Sequence, residues 1–340
     1  MNIPPKLTGL SPDQNLVFLS YGAESEFRRA IFSILSFYAW AAASELGRTR
    51  ILVYTDQPHF FQTYLDEPEI EYVLMTPALM EEMLGGTVFY HRRKIASIDM
   101  TLKKYPQDNV IFIDSDTFFT GDATLLLQGI TKDHAFMHKR EYTFEQGLGI
   151  FKSFNEGEFP QAFIDYIADR DLMIGGKPER FTRHDYGWNS GVLGLHSSFA
   201  EYMPDVFRLN DEFYENSRWF ISEQIAFSLI LQRRKILQEA DEFVLHYWGK
   251  RQKVMLDQLL INFFRKYNLT ALKDKTLLRK TAARWKFKVE VDIIQEQAAI
   301  ALSLGSWLYG LKKSAQVLLK DPFNLLLYKE LITAASTKRK

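Results

Sequence analysis

Asp114 and Asp116 stand two residues apart, directly after the apolar run Val110-Ile111-Phe112-Ile113. Four apolar residues rich in β-branched types predict a short buried strand. Side chains at i and i+2 of extended backbone share a face. Both acids are therefore expected to point into one crevice at the strand's carboxyl end, where open α/β sheets bind ligands. Two hard oxygen donors there suit a divalent cation, and such a cation suits a diphosphate. For the tripeptide alone, a strand followed by a polar turn is the plain alternative, so the odds depend on what lies downstream.

Three downstream segments carry matching chemistry. Trp188-Asn189-Ser190-Gly191-Val192-Leu193-Gly194-Leu195 puts small polar groups and a permissive glycine just before an apolar strand, which allows close backbone approach to a ligand. Judged alone it is a turn leading into a strand. Ser222-Glu223-Gln224 opens a helical pattern, with Ser222 as N-cap and Glu223 and Gln224 in the first turn; alone, Glu223 would simply favour the helix dipole. His246-Tyr247-Trp248-Gly249-Lys250-Arg251-Gln252-Lys253 joins an imidazole, able to ligate a transition metal, to a glycine and several cations suited to phosphate. A lone histidine is more often structural.

The elements that would position these residues alternate. Strands are expected over 16–20, 50–55, 70–75 and 109–113, with helices over 24–46, 58–65 and 92–104 between them. This indicates an α/β fold with a mixed, mostly parallel sheet flanked by helices. Right-handed crossovers place the loops after the strands on one edge, and Tyr21, Asp56 and Asp114 all fall there. Further on, strands are expected at 135–137, 190–195 and 243–246, and helices at 160–170, 198–210 and 222–232. Residues 251–340 read as a mainly helical extension of a domain spanning 1–250, with 285–291 the one further strand candidate.

Composition bounds the rest. The 340 residues contain no cysteine, so there is no disulfide framework or thiolate site. That fits a reducing, cytoplasmic setting. Residues 1–6 lack the positive-then-apolar pattern of a secretory signal. The zero net charge is uneven: residues 251–340 hold 18 Lys and Arg against 7 Asp and Glu, a net +11 balanced by the rest of the chain. Either this extension meets something acidic or the two parts neutralise each other. Residues 298–311, apolar with Trp307 and Tyr309 and followed by Lys312-Lys313, would suit peripheral contact with an anionic membrane or a helix packed on the preceding domain. Arg284-Trp285-Lys286-Phe287-Lys288 interleaves cations with aromatics, but no nucleic-acid module surrounds it, and no nucleic-acid partner is expected. The end of the chain, 336–340, is of low complexity.

In this order, the segments resemble the retaining family 8 glycosyltransferases and their close relatives, over about residues 12–253. Asp114-Ser115-Asp116 matches the family's strand-borne Asp-x-Asp. Trp188-Asn189-Ser190-Gly191-Val192 matches its Phe-Asn-Ser/Ala-Gly-Val, with Trp for Phe. Glu223-Gln224 matches its Asp-Gln. His246-Tyr247-Trp248-Gly249 begins its late His-Phe-x-Gly-x-x-Lys-Pro-Trp motif and then departs: Gln252 takes the lysine's place, Lys253 follows one position late, and Pro-Trp is missing. Lys94, with Arg93 beside it, matches a basic residue on the helix before the Asp-x-Asp strand.

The resemblance implies a GT-A nucleotide-sugar fold and transfer of a hexose from a UDP-sugar with retention. It implies Mn²⁺ or Mg²⁺ held by Asp114, Asp116 and His246, and Lys94 with Lys250 or Lys253 assisting the departing diphosphate. Asn189 would hold the donor sugar, Gln224 would sit near the anomeric carbon, and Glu223 would meet sugar hydroxyls or act as nucleophile. Tyr21, Asp56, Arg93, Ser115 and Gly249 complete the donor site. The acceptor would be a saccharide, lipid or protein. Two rival readings stay open. An apolar strand followed by Asp-x-Asp-Thr also describes the nucleophile motif of haloacid-dehalogenase-type phosphatases, with Asp114 attacking, although the late acidic pair of that family is missing. The chain could also be a non-catalytic nucleotide-sugar-binding protein of the same fold.

Overall fold

In a computed structural model of the chain, residues 13–65, 67, 70–325, 327–329 and 331 are described. Residues 1–6 and 336–340, on which the expectations about a leader and a low-complexity end rest, lie outside them. The first half runs β1 (Gln14–Leu19), α1 (Glu24–Trp40), α2 (Ala43–Arg48), β2 (Thr49–Thr55), α3 (Pro58–Gln62), β3 (Ile70–Leu74), α4 (Pro77–Glu82), α5 (Arg92–Lys104), β4 (Asn109–Ile113), β5 (Thr117–Phe119), α6 (Ala123–Gly129) and β6 (His134–Thr143). Next come α7 (Phe144–Lys152), α8 (Glu158–Ile167), β7 (Asp171–Ile174), β8 (Lys177–Arg180), β9 (Tyr186–Leu195), a 3₁₀ turn (Ser197–Tyr202), α9 (Met203–Ser217), α10 (Ser222–Arg234), β10 (Ile236–Glu239) and β11 (Val244–His246). The rest is helical: α11 (Lys250–Lys266), α12 (Leu269–Leu272), α13 (Lys275–Ser303) and α14 (Trp307–Lys320).

Seven strands form one sheet in the order β10-β6-β9-β4-β1-β2-β3. All pairings are parallel except the two made by β9, which runs antiparallel between β6 and β4. This is the mixed, mostly parallel sheet flanked by helices that the alternation predicts, followed by a helical C-terminal region. Period-two alternation shows how the central strands are buried on both faces. Leu16 and Phe18, Ile51 and Val53, and Ile111 and Ile113 enter the core shared with α1, α11 and α13. Val17, Leu52, Val110 and Phe112 enter the core shared with α5, α9 and α10. Each such fully buried side chain is worth about 1.5–3 kcal/mol, so the sheet edge that carries the loops rests on a rigid platform.

Several expectations need correction. The helix expected over 24–46 is two helices, broken at Ala41 and Ala42, both extended. No breaker residue marks the spot; the Ala42 amide instead donates to the Thr124 hydroxyl at 3.2 Å, a tertiary contact overriding good local propensity. The helix expected over 198–210 is a 3₁₀ turn followed by α9. Residues 285–291 lie inside α13; Trp285 and Val289, one helical turn apart, enter the core shared with α1, with the Trp285 and Phe32 rings 4.4 Å apart. Residues 298–311 are not one helix, because Gly305, at φ +79°, turns the chain between α13 and α14.

Candidate active site

The acids converge by a route the spacing argument did not foresee. Strand β4 ends at Ile113, and Ser115 and Asp116 lie in a turn, not in extended backbone. The Thr117 hydroxyl closes that turn by donating to the Asp114 carbonyl at 2.8 Å. The Asp114 amide donates to the Gly191 carbonyl at 2.9 Å, which ties the turn to β9. Then β5 pairs antiparallel with β11, setting His246 opposite Thr117, and the Tyr247 amide donates to the Asp116 carbonyl at 3.0 Å. A two-stranded ribbon thus delivers the distant imidazole to the acids.

The result is a compact donor set. One ligand atom from each of Asp114, Asp116 and His246 lies within 4.8 Å of the others. His246 Nε2 is 3.3 Å from Asp116 Oδ1 and 4.0 Å from Asp114 Oδ2. Its Nδ1 is 2.9 Å from the Asn189 carboxamide oxygen. With the proton on Nδ1, Nε2 presents its lone pair to the acids, the arrangement that metal-binding histidines adopt. Gly191 makes room for this ring, since a Cβ there would run into it. Two carboxylates and one neutral imidazole fit a divalent ion such as Mn²⁺.

Two lysines flank the set. Lys253, from the first turn of α11, reaches Asp116 Oδ2 at 2.7 Å. Lys94, from α5, is buried and donates to Asp114 Oδ2 at 3.2 Å, the Ser190 carbonyl at 2.7 Å and the Ser190 hydroxyl at 2.9 Å. It also pairs with Glu223 at 3.1 Å. Burial works to lower the Lys94 pKa, but Asp114 and Glu223 outweigh it and hold the ammonium above its ordinary value. Burial likewise opposes ionisation of Asp116, yet His246, when it carries both ring protons, and Lys253 hold that carboxyl well below the usual range.

These groups line a cavity of about 770 Å³. Of the residues expected at a donor site, Tyr21, Lys94, Asp114, Ser115, Asp116, Asn189, Glu223, Gln224, His246 and Lys253 line it. Arg93 stands behind Tyr21, donating to its hydroxyl at 3.1 Å. Asp56 accepts from the Gly22 amide at 3.2 Å and so shapes the loop after β1, where Gly22 has φ +87°. Lys250 is exposed at the start of α11 and is outside the cavity lining. Gly249 is the N-cap residue of that helix. Gln252, in the lysine's motif position, is buried and donates to Asp292 at 2.8 Å and Glu296 at 2.9 Å; it ties α11 to α13, and Lys253 enters the cavity instead.

Two local expectations change. Ser190 falls inside the strand expected from 190, but that strand begins earlier, at Tyr186, so Asn189 also belongs to β9 and not to a turn before it. Ser222 is the first residue inside α10 and donates to the Trp219 carbonyl at 2.6 Å, so it is no N-cap. Glu223 and Gln224 still occupy the first turn. Glu223 accepts from the Ser190 hydroxyl at 2.8 Å, and the Gln224 oxygen accepts from the Ser190 amide at 3.2 Å.

Glu141 escaped the sequence reading. The β6–β9 register shifts between Arg140 and Tyr142, leaving Glu141 as the extra residue of a bulge; bulges commonly re-aim side chains beside active sites. Its two oxygens accept from Asn189 Nδ2 at 3.1 Å and Gln224 Nε2 at 3.3 Å. Burial pushes its pKa up against those hydrogen bonds. The charged run Lys139-Arg140-Glu141 ends the apolar pattern of β6 and hid the strand's second half. Glu26 was also missed; it accepts from the Ser115 hydroxyl.

No protein-family model matches the chain, and no curated protein matches it. Among solved structures, the glycosyltransferase GlyE of Streptococcus pneumoniae TIGR4 aligns with a TM-score of 0.46 and 12% identity, over 78% of this chain and 63% of that one. Its apo form gives 0.44 and 11%, over 79% and 64%. The galactosyltransferase LgtC, in complex with donor and acceptor sugar analogs, gives 0.44 and 14%, over 75% and 97%. The chain therefore spans less than two thirds of the GlyE chains' length.

Proposed function

We propose that this chain is a metal-dependent, GT-A-type glycosyltransferase that moves a hexose from a UDP-sugar to a hydroxyl acceptor with retention of configuration. The observation that carries the reading is the meeting of Asp114, Asp116 and His246 within 4.8 Å in one cavity with Lys94 and Lys253. We assign this work to residues 1–250, with 251–340 as an extension that lends Lys253.

A bound Mn²⁺ or Mg²⁺ would neutralise charge on the two phosphates as they leave. Lys253 is placed to exchange Asp116 for a phosphate oxygen, and Lys94 keeps Asp114 oriented from behind. Such preorganised charge is usually the largest catalytic contribution. Asn189 and Gln224, held by Glu141, face the donor sugar. Glu223 is spent on Lys94 and Ser190 and is poorly placed as a nucleophile. The acceptor therefore attacks from the leaving-group side. The bond from anomeric carbon to phosphate oxygen breaks, the bond to the acceptor oxygen forms, and the acceptor's proton passes to the departing phosphate. Tyr21 meets the base or ribose, with Arg93 and Asp56 fixing its loop.

A screen of nucleotide sugars for Mn²⁺-dependent release of nucleotide diphosphate tests the reading, with UDP-hexoses expected to respond. Release of inorganic phosphate alone would favour the phosphatase, and UDP binding without turnover the non-catalytic alternative. Glu141→Gln supplies an amide where both partners need an acceptor, so Asn189 or Gln224 must turn over. We expect kcat to fall roughly 10–100-fold, the usual scale for supporting hydrogen bonds at a metal site, with the thermal midpoint little changed.

Membrane contact belongs to the same proposal. No helix among the described residues is long and apolar enough to cross a membrane. On α14, however, Gly310, Ser314 and Val317 face inward, while Leu308, Leu311 and Leu319 are exposed. Lys312, Lys313 and Lys320 accompany them, and the helix has no acidic residue. An apolar outer face with cations suits the surface of an anionic bilayer. We expect pelleting with phosphatidylglycerol vesicles, weakened at least ~10-fold when all three leucines become serine; equal pelleting of both chains would end the idea.

A further inference from the structure

The cavity has two chemically different regions. Its polar floor holds the acids, His246 and the lysines. One wall is apolar: Ile150 and Phe151 from α7, Phe154 just beyond it, Phe220 and Ile221 before α10, and Tyr142 from β6. This wall is continuous, because the Phe151 ring lies 6.0 Å from Phe220 and 6.4 Å from Tyr142, centroid to centroid. The protein itself leaves it uncovered: Ile150 is 44% exposed, Phe154 54% and Phe220 50%. Large apolar side chains clustered on the rim of a binding cavity mark a surface that a ligand removes from water.

Its position says which ligand. Ile221 precedes Gln224 by one helical turn, and Tyr142 follows Glu141, which holds the Gln224 amide. The wall therefore belongs to the Gln224 side of the cavity, whereas Tyr21 lies at the end of β1. Ile150, Phe154 and Phe220 offer no hydrogen-bonding side-chain group, so they suit a hydrocarbon better than a ring of sugar hydroxyls. We propose that the acceptor carries an alkyl or isoprenoid chain close to the hydroxyl that receives the sugar, and that this chain lies along Ile150, Phe154 and Phe220. This rests on the transferase reading and deepens it, narrowing the acceptor to an amphiphile.

The test is a chain-length series on the unmodified protein with UDP and Mn²⁺ present. Methyl, hexyl and octyl β-D-glucopyranosides are titrated below micelle formation. Affinity should climb with length, octyl exceeding methyl by at least ~30-fold, a fraction of the transfer free energy of seven methylenes. The double variant Phe154→Ser with Phe220→Ser should lose most of that gain. Equal affinity across the series, a gain that survives the double variant, or tighter binding of phenyl glucoside or maltotriose than of the octyl compound would overturn the proposal. The two readings fail separately. Nucleotide diphosphate release from a donor with no alkyl preference removes this inference alone. An alkyl preference with no release from any donor keeps the apolar ligand and removes the transferase.

Discussion

Asp116→Ala is expected to abolish metal-dependent release of nucleotide diphosphate, with a loss of at least ~1,000-fold, the upper scale for removing one preorganised electrostatic group. Asp116 is the only residue of the set that touches both His246 Nε2, at 3.3 Å, and Lys253, at 2.7 Å. Its removal takes away one of the three proposed metal ligands and frees Lys253 from its position. Folding should survive, because His246 stays tied to Asn189 at 2.9 Å and the Lys253 side chain is already 34% exposed. Asp116→Asn, which keeps the shape, should be nearly as inactive. Rates are read by diphosphate release and folding by thermal melting; full activity in Asp116→Ala would remove the metal assignment.

Lys94→Met is expected to act first on stability. The Lys94 and Glu223 side chains are 6% and 5% exposed, so deleting the cation leaves a carboxylate buried beside Ser190 without its counter-charge. Breaking a buried pair on one side costs about 3–5 kcal/mol, read by denaturant unfolding. Adding Glu223→Gln should recover part of that loss, since the orphaned charge goes with it. The sign with pH follows from the raised Lys94 pKa. The group's contribution is fully present below its unfolded pKa, roughly 10.4, and is lost only as pH rises through the still higher folded value. The stability gap between the two chains should therefore not shrink as pH rises from 6 to 9. A gap that closes as pH rises through this range would mean Lys94 is not held as a charged buried pair.

The sheet was legible because its central strands are buried on both faces, which writes unbroken apolar runs at 16–19, 51–54 and 110–113 into the sequence. The residues of the candidate metal set were legible by type and order, and they meet. Their geometry was not, because it depends on pairing between β5 and β11, two three-residue strands with 124 residues between them, too short to leave a periodic signal. Glu141 was hidden for a related reason: a bulge breaks the period that identifies a strand. Gln252 is tied into the interior by Asp292 and Glu296, whereas Lys253 reaches Asp116, a difference between neighbours that the sequence alone does not show. The exposed wall at Ile150, Phe154 and Phe220 comes from separate segments and reads as scattered apolar residues until folding gathers it.

A metal site built from Asp114, Asp116 and His246 is tested by calorimetric titration of Mn²⁺ into the chain saturated with UDP. One ion per chain is predicted, with His246→Ala and Asp116→Ala each weakening the affinity at least ~10-fold. Binding of undiminished strength in His246→Ala would contradict it, because the ion would then be held somewhere other than between this imidazole and the two acids.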